Sequence, residues 1–279
     1  MNILITGANG QLGLALQKEL REHELIGVDL PTHDISDKKV VDALVGDNKP
    51  DLLINSAAYT NVDGCAKDPV TAYKANALGP QNLALACSEH GTPMVHVSTN
   101  EVFDGSKPEG FDEWMPLNPI NPYGKSKAAG EFNVRSILPR HFIVRTAWLY
   151  ASTGRNFIHA IMNRAKDTGQ VRVVTDEIGS PTWAKDLAAA IGQLVETGRY
   201  GTYHFVNSGS CSRWEFANEI LRMAGIEATN EPILSSEFKR ASTPPPFGVI
   251  HNINGAQAGI TLRPWQEALA EYLEEGSQK

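Results

Sequence analysis

Cysteine is scarce in this sequence: Cys65, Cys87 and Cys211 are the only three in 279 residues, and no two have CxxC spacing. That argues against a disulfide framework or a zinc site and fits a reducing compartment. Long apolar runs are missing as well, none approaching the roughly 20 residues needed to span a bilayer. The first residues pass straight into Ile3-Leu4-Ile5, with no basic stretch and no cleavage site, so a signal peptide is not expected and a cytoplasmic location is. Positive charge is in deficit: 25 Lys and Arg stand against 32 Asp and Glu, for a net charge of −7. Nucleic-acid binding needs a basic face to displace counterions, and no Lys/Arg cluster offers one. A small anion is another matter, because a few local cations or helix amides suffice to hold it. The eight histidines form no HxxxH or HxxE group, so no metal is expected. A G-x-S-x-G elbow is absent, which leaves a hydrolase triad without support. His96, inside an apolar run, reads as a core residue rather than a ligand.

The remaining composition, 42% hydrophobic and 20% charged, suits a chain that buries a sizeable core without staples. Continuous apolar runs at Asn2–Thr6, Glu24–Asp29, Asp51–Ala57, Met94–Ser98 and His141–Thr146 read as strands covered on both faces. Gln11–His23 carries Leu12, Leu16 and Leu20 on one stripe and reads as a helix. Strand–helix alternation of this kind predicts an α/β fold with a doubly wound parallel sheet. Residues 1–150 are expected to form this domain. Residues 151–279 are expected to form mainly a smaller C-terminal, substrate-binding lobe. A strand at Val171–Val174 and a helix at Trp183–Glu196 suggest that the chain returns to the sheet around 171–200.

Gly7-Ala-Asn-Gly10-Gln-Leu-Gly13 lies directly between the first strand and the first helix. In a Rossmann-type domain such glycines permit a tight turn, let backbone approach a pyrophosphate and let the helix pack close to the strand. The amides around Gln11 and Leu12 would then face the anion. Asp29, at the end of the second run, is placed to accept hydrogen bonds from the adenosine ribose. A carboxylate there repels a 2′-phosphate and no Arg lies in Val28–Lys38, so NADH is favoured; NADPH stays possible through Lys38 or Lys39.

Tyr123 and Lys127 are spaced i, i+4 and share one helix face. An ammonium near a phenol lowers its pKa, which suits proton exchange with a carbonyl during hydride transfer. Ser98-Thr99 ends the fourth run upstream, where the Thr99 hydroxyl can meet that carbonyl. Gly124-Lys125-Ser126 is not a P-loop tail, since residue 119 is not glycine and no strand precedes it.

The glycine loop, Asn55-Ser-Ala-Ala-Tyr-Thr60, Ser98-Thr-Asn-Glu-Val-Phe-Asp-Gly105, Tyr123-Gly-Lys-Ser-Lys127 and Arg145-Thr-Ala-Trp-Leu-Tyr150 together resemble the dTDP-4-dehydrorhamnose reductases, extended short-chain dehydrogenases/reductases. The resemblance spans most of the chain and is weakest beyond about residue 225. It implies NAD(P)H-dependent reduction of the 4-keto group of a nucleotide-linked 6-deoxyhexose. By it, Gly10, Gln11 and Leu12 would hold the pyrophosphate, and Asp29, Asp34 and Ile35 would face the adenosine end. Ala58, Tyr59 and Thr60 would line the cofactor. Thr99 would hydrogen-bond the ketone, Tyr123 would donate the proton with Lys127 as its activator, and Trp148 would pack on the sugar ring; a core aromatic is the other reading of Trp148.

Three positions depart from the pattern. Asn100-Glu101 stands where the family has Asp-Tyr, which alters the sugar pocket and leaves Glu101 as either a sugar-hydroxyl acceptor or a solvated carboxylate. Thr243–His251 lacks an arginine expected near the Pro-rich stretch. Ala15 stands where some members carry an acid that helps hold a metal, so a metal-bridged dimer is not expected; the oligomeric state is left open. Gly209–Ser212, followed by Arg213-Trp214-Glu215, reads as a loop and helix start, with a loop that shapes the substrate pocket as the other reading. Two other functions stay in view: a nucleotide-sugar 4,6-dehydratase or epimerase, and a non-catalytic cofactor-binding regulatory subunit.

Overall fold

The five apolar runs of the first half become parallel strands because each has covered faces to fill. In a computed structural model describing residues 1–277, they are β1 (Asn2–Thr6), β2 (Glu24–Val28), β3 (Leu52–Asn55), β4 (Met94–Thr99) and β5 (His141–Thr146). A sixth strand, Gly201–His204, pairs parallel with β5, and the order across the sheet is Gly201–His204, β5, β4, β3, β1, β2. The order reverses between β1 and β3, and at such a switch point the carboxyl ends of the strands open a crevice.

The first six α-helices are α1 (Gln11–Glu19), α2 (Lys38–Asn48), α3 (Val62–Lys67), α4 (Pro69–Tyr73), α5 (Gly79–His90) and α6 (Pro122–Ile137). Ile3 and Ile5 of β1 face one side, packed with Leu12 and Leu16 of α1 and with Leu187 and Ile191 of the helix Ala184–Thr197. Leu4 faces the other side, in a cluster with Val41, Leu44, Leu83 and Val134 from α2, α5 and α6. Alternation along a strand thus feeds two helical layers. A third cluster, around Tyr150, Ile158, Phe216 and Trp265, belongs to the second half of the chain.

Three expectations change. Val171–Val174 does lie in a strand, Gln170–Val174, but it pairs with Thr229–Ile233 in a separate two-stranded sheet; Val171 and Val173 bury into the second-half cluster. The return to the main sheet is made by the helix Ala184–Thr197 and the strand after it. The first helix is shorter than its apolar stripe, with Leu20 serving as its C-cap. β3 ends at Asn55, because from Ser56 onward the chain leaves the ladder to edge the crevice. Gln278 and Lys279, the end of the expected 151–279 lobe, lie outside the described residues. No helix among the described residues is long and apolar enough to cross a membrane.

Candidate active site

The crevice at the switch point is built by backbone before any side chain enters it. Gly7 has φ +71, and a Cβ there would lie 2.6 Å from the Ala57 amide nitrogen; at Gly13 it would lie 2.2 Å from the Gly7 carbonyl oxygen. Both glycines let the β1–α1 turn, the α1 helix and the segment after β3 touch. Gly10 is the N-cap of α1 and supplies no side chain, and the first helical bond runs from Leu14 N to Gly10 O. The amides of Gln11, Leu12 and Gly13 therefore have no carbonyl upstream in the helix to bond, and the helix dipole adds to their pull on an anion. Asp29 sits immediately beside this loop. Its Oδ2 accepts from Asn9 N at 2.9 Å and its Oδ1 from Leu30 N at 2.8 Å. Asp34 is exposed and accepts from Ser36 N, whereas the Ile35 side chain is packed into the core, leaving only backbone to meet an adenosine.

Ala58, Tyr59 and Thr60 continue the segment after β3 that meets Gly7 at Ala57. Asn76 holds them: its Oδ1 accepts from Tyr59 N at 2.8 Å, and its Nδ2 donates to Tyr59 O and to Ser126 Oγ of α6, both at 3.0 Å. Asn76 lies in a π-helical turn, Lys74–Leu78, between α4 and α5. Bare glycine backbone, an uncapped helix start and a carboxylate at the end of β2 together fit a nicotinamide dinucleotide.

The chemistry-bearing groups gather deeper. Asn121 caps α6 by accepting from Gly124 N at 2.8 Å, and a Cβ on Gly124 would lie 2.0 Å from Glu101 O. The start of α6 is thus pressed directly on the 3-10 turn Asn100–Val102, which brings Tyr123 to Thr99 at the end of β4. Thr99, Tyr123 and Lys127 are all buried. The sequence expectation for Tyr123 needs correcting. Lys127 does not drive its phenol toward neutrality: Lys127 Nζ donates to Val97 O at 2.7 Å. Burial, joined by the charge of Glu101, raises the phenol above its ordinary pKa, against a hydrogen bond with Thr99 that lowers it. Burial also lowers Lys127, to about 8, with Glu131 opposing. His96 is core as expected: its Nδ1 lies 3.1 Å from Asn55 Nδ2, and burial followed by the charge of Lys127 keeps it well below its ordinary pKa.

Beside this group opens a cavity of 380 Å³ edged by Thr60, Asn100, Glu101, Trp148, Arg213 and Arg240. Glu101 is not a solvated carboxylate. It is drawn under the loop by Asn121, whose Nδ2 donates to its Oε2 at 2.6 Å, and burial raises its pKa against that bond and the charges of Arg213 and Arg240. Trp148 lines the cavity, yet its ring face carries the Arg213 guanidinium at 3.6 Å from the centroid. Its backbone has φ +44, a strained conformation for a bulky residue, and a methyl at Gly179 would lie 2.5 Å from the indole. A sugar packed on that face requires Arg213 to move.

Arg213, Glu177 and Arg240 were not read from the sequence as site residues. Gly209–Ser212 read first as a helix start, with a loop shaping the substrate pocket as the second reading, and a capping box between Ser212 and Glu215 is present. The next residue, Arg213, turns into the cavity, and Arg240 pairs with Glu177 across it. Arg213, Glu177, Phe238 and Arg240 also edge an adjoining groove of 770 Å³ lined by Phe157, Val173 and Arg172. Arg240 is a cation just before the Pro-rich stretch, three residues upstream of Thr243–His251.

Residues 1–278 match the family model described as the RmlD substrate binding domain. The spore coat polysaccharide biosynthesis protein SpsK of Bacillus subtilis is 39% identical, over 99% of this chain and 98% of its own. The dTDP-4-dehydrorhamnose reductase of Mycobacterium tuberculosis is 36% identical, over 97% of this chain and 92% of its own. Among solved structures, a Bacillus anthracis dTDP-4-dehydrorhamnose reductase in complex with NADP is 39% identical and superposes with a TM-score of 0.96, covering 98% of this chain and 99% of that one.

Proposed function

Because this chain belongs to the dTDP-4-dehydrorhamnose reductase family, we propose that it reduces the 4-keto group of dTDP-4-dehydrorhamnose, or of a close nucleotide-linked relative, to give dTDP-L-rhamnose or its counterpart. It is a nicotinamide-dependent oxidoreductase. The observation that carries the reading is the convergence of Thr99, Tyr123 and Lys127 beside a cavity that opens onto a larger groove, with two arginines at the junction.

Residues 1–150 supply the dinucleotide cradle, with Gly7, Gly10, Gln11, Leu12 and Gly13 around the pyrophosphate and Ala58, Tyr59 and Thr60 along the cofactor. NADH is favoured. Asp29 offers two acceptor oxygens to a free ribose and repels a 2′-phosphate; Lys38 is bound to Asp42 at 2.6 Å, which leaves Lys39 as the lysine through which NADPH stays possible. The nicotinamide, when bound, supplies the hydride. Everything else falls to the chain. The Thr99 and Tyr123 hydroxyls hold the ketone oxygen. Tyr123 stays protonated over the working pH range and gives its proton to O4. Lys127 keeps α6 and β4 in register beneath both. Arg213 and Arg240 stand where the two cavities meet and suit a pyrophosphate spanning them. Phe157 and Phe238 then flank the nucleoside side.

A dehydratase would need a neutral acid beside its base, and the amide of Asn100 cannot protonate a leaving hydroxyl. A purely regulatory subunit would have no use for a buried Thr–Tyr–Lys constellation. The deciding assay is oxidation of NADH or NADPH with the 4-keto sugar nucleotide, alongside dTDP-glucose with NAD. Steady oxidation in the first and no 4-keto product in the second is expected; the reverse result would overturn the reading.

A further inference from the structure

Reduction at C4 leaves one carboxyl in the cavity without a task. Glu101 edges the same space as Asn100, Trp148 and Arg213. Its Oε2 is held by Asn121, and among the described residues no other hydrogen bond reaches the carboxylate. Its backbone is fixed as firmly as that of a catalytic group: Glu101 N donates to Thr99 Oγ1 at 3.2 Å, and the Gly124 contact clamps the Glu101 carbonyl against α6. Thr99, Glu101 and Tyr123 are thus presented together by one rigid junction of β4, the 3-10 turn and α6. Two neutral hydroxyls on a carbonyl oxygen, with a carboxyl to one side, are the parts needed to remove a proton from a carbon next to that carbonyl.

We propose, building on the ketoreductase reading, that Glu101 gives this protein a second activity: reversible proton removal from a carbon flanking the keto group of the bound sugar, without any hydride transfer. The Glu101 carboxylate takes the proton from C3 or C5. The C–H electron pair becomes a double bond to C4, and the carbonyl π pair moves to O4, which receives the Tyr123 proton. Running backwards, the sequence restores the ketone with a proton drawn from water, so nothing is oxidised or reduced. Asn100 offers no proton to a hydroxyl further along the ring, so elimination is blocked and the enol can only return.

The test is to incubate the wild-type protein with the dTDP-linked 4-keto-6-deoxyhexose in D2O, without reduced cofactor, and to follow C3 and C5 by proton NMR and mass spectrometry. Deuterium is expected at one of these carbons at least about tenfold faster than in an enzyme-free control. Glu101→Gln should slow the exchange by about two orders of magnitude, as befits a lost general base. A thermal-shift titration with the sugar nucleotide shows that this variant still folds and binds. Exchange no faster than background, from a preparation that does oxidise NADH or NADPH with the same sugar, overturns the proposal and leaves the reductase reading intact. Undiminished exchange in a folded, binding Glu101→Gln protein also overturns it. Failure of both reduction and exchange removes the reductase reading and this proposal with it.

Discussion

Lys127 Nζ and the carbonyl oxygen of Val97 are 2.7 Å apart, so the helix that bears Tyr123 is tied by an ammonium to the strand that ends in Thr99. Burial holds this lysine at about 8 in the folded protein, against 10.5 for an unhindered one. Between those values the unfolded chain binds the extra proton, so this group makes folding more favourable as pH rises. The comparison to make is wild type against Lys127→Met in urea unfolding at several pH values from 7 to 10. Stability of the wild type relative to the variant should rise through the upper half of that range, by up to about 1.4 kcal/mol per pH unit. A flat difference would mean that Lys127 stays protonated in the folded protein throughout, with no lowering of its pKa by burial.

Tyr123→Phe should lose roughly two to four orders of magnitude in turnover, the range for a general acid, while keeping its affinity for reduced cofactor in a fluorescence titration. The raised phenol pKa adds a second expectation: the wild-type rate should show no loss of the tyrosine proton anywhere below pH 9. A basic limb near neutrality that vanishes in Tyr123→Phe would reinstate the acidified phenol.

Asp29→Asn removes the charge and keeps one acceptor oxygen, enough for only one of the Asn9 and Leu30 amides that the two carboxylate oxygens now serve. The ratio of kcat/KM for NADH over NADPH should fall by about tenfold, since placing like charges together costs at least that much. An unchanged ratio would show that the carboxylate serves the loop alone.

Glu131 lies one turn beyond Lys127, fully buried, and accepts from Ser98 Oγ at 2.6 Å and from Arg145 at 2.9 and 2.8 Å. Burial works against its ionisation, yet Arg145 holds the carboxyl below its ordinary range. Glu131→Ala strands a buried guanidinium and should cost about 3–5 kcal/mol. The double variant Glu131→Leu, Arg145→Met should cost less than the two single changes added together. Chemical denaturation of the four proteins tests this.

Arg240→Ala removes one of the two cations at the junction of the cavities. Its KM for the sugar nucleotide should rise roughly 10- to 100-fold, the worth of a charged hydrogen bond, with kcat changed far less. Equal losses in both would place Arg240 with the chemistry instead.

The glycine loop, Asp29, Thr99, Tyr123 and Lys127 were legible because each answers to a local rule: a turn that only glycine makes, a residue at a strand end, two side chains one helical turn apart. Arg213, Glu177 and Arg240 were not, since they meet only when chain segments far apart in sequence fold together. The pairing of Gln170–Val174 with Thr229–Ile233 was hidden for the same reason; an apolar run shows that a strand is covered, not which sheet covers it. The ionisation of Tyr123 followed burial and the neighbouring Glu101, neither of which its spacing from Lys127 records.

The π-helical turn Lys74–Leu78 makes the length of this segment a constraint in its own right. A π turn carries one residue more than an α turn, so it sets the rotational phase of everything that follows on the same axis. Delete one residue from it and α5 turns by about 100° relative to α4. Leu83, Ala84 and Cys87 would swing off the core face, and Asn76 would leave both the Tyr59 backbone and Ser126. A change of identity at exposed positions such as Lys74 and Leu78 should therefore cost far less than a change in the number of residues between Tyr73 and Gly79.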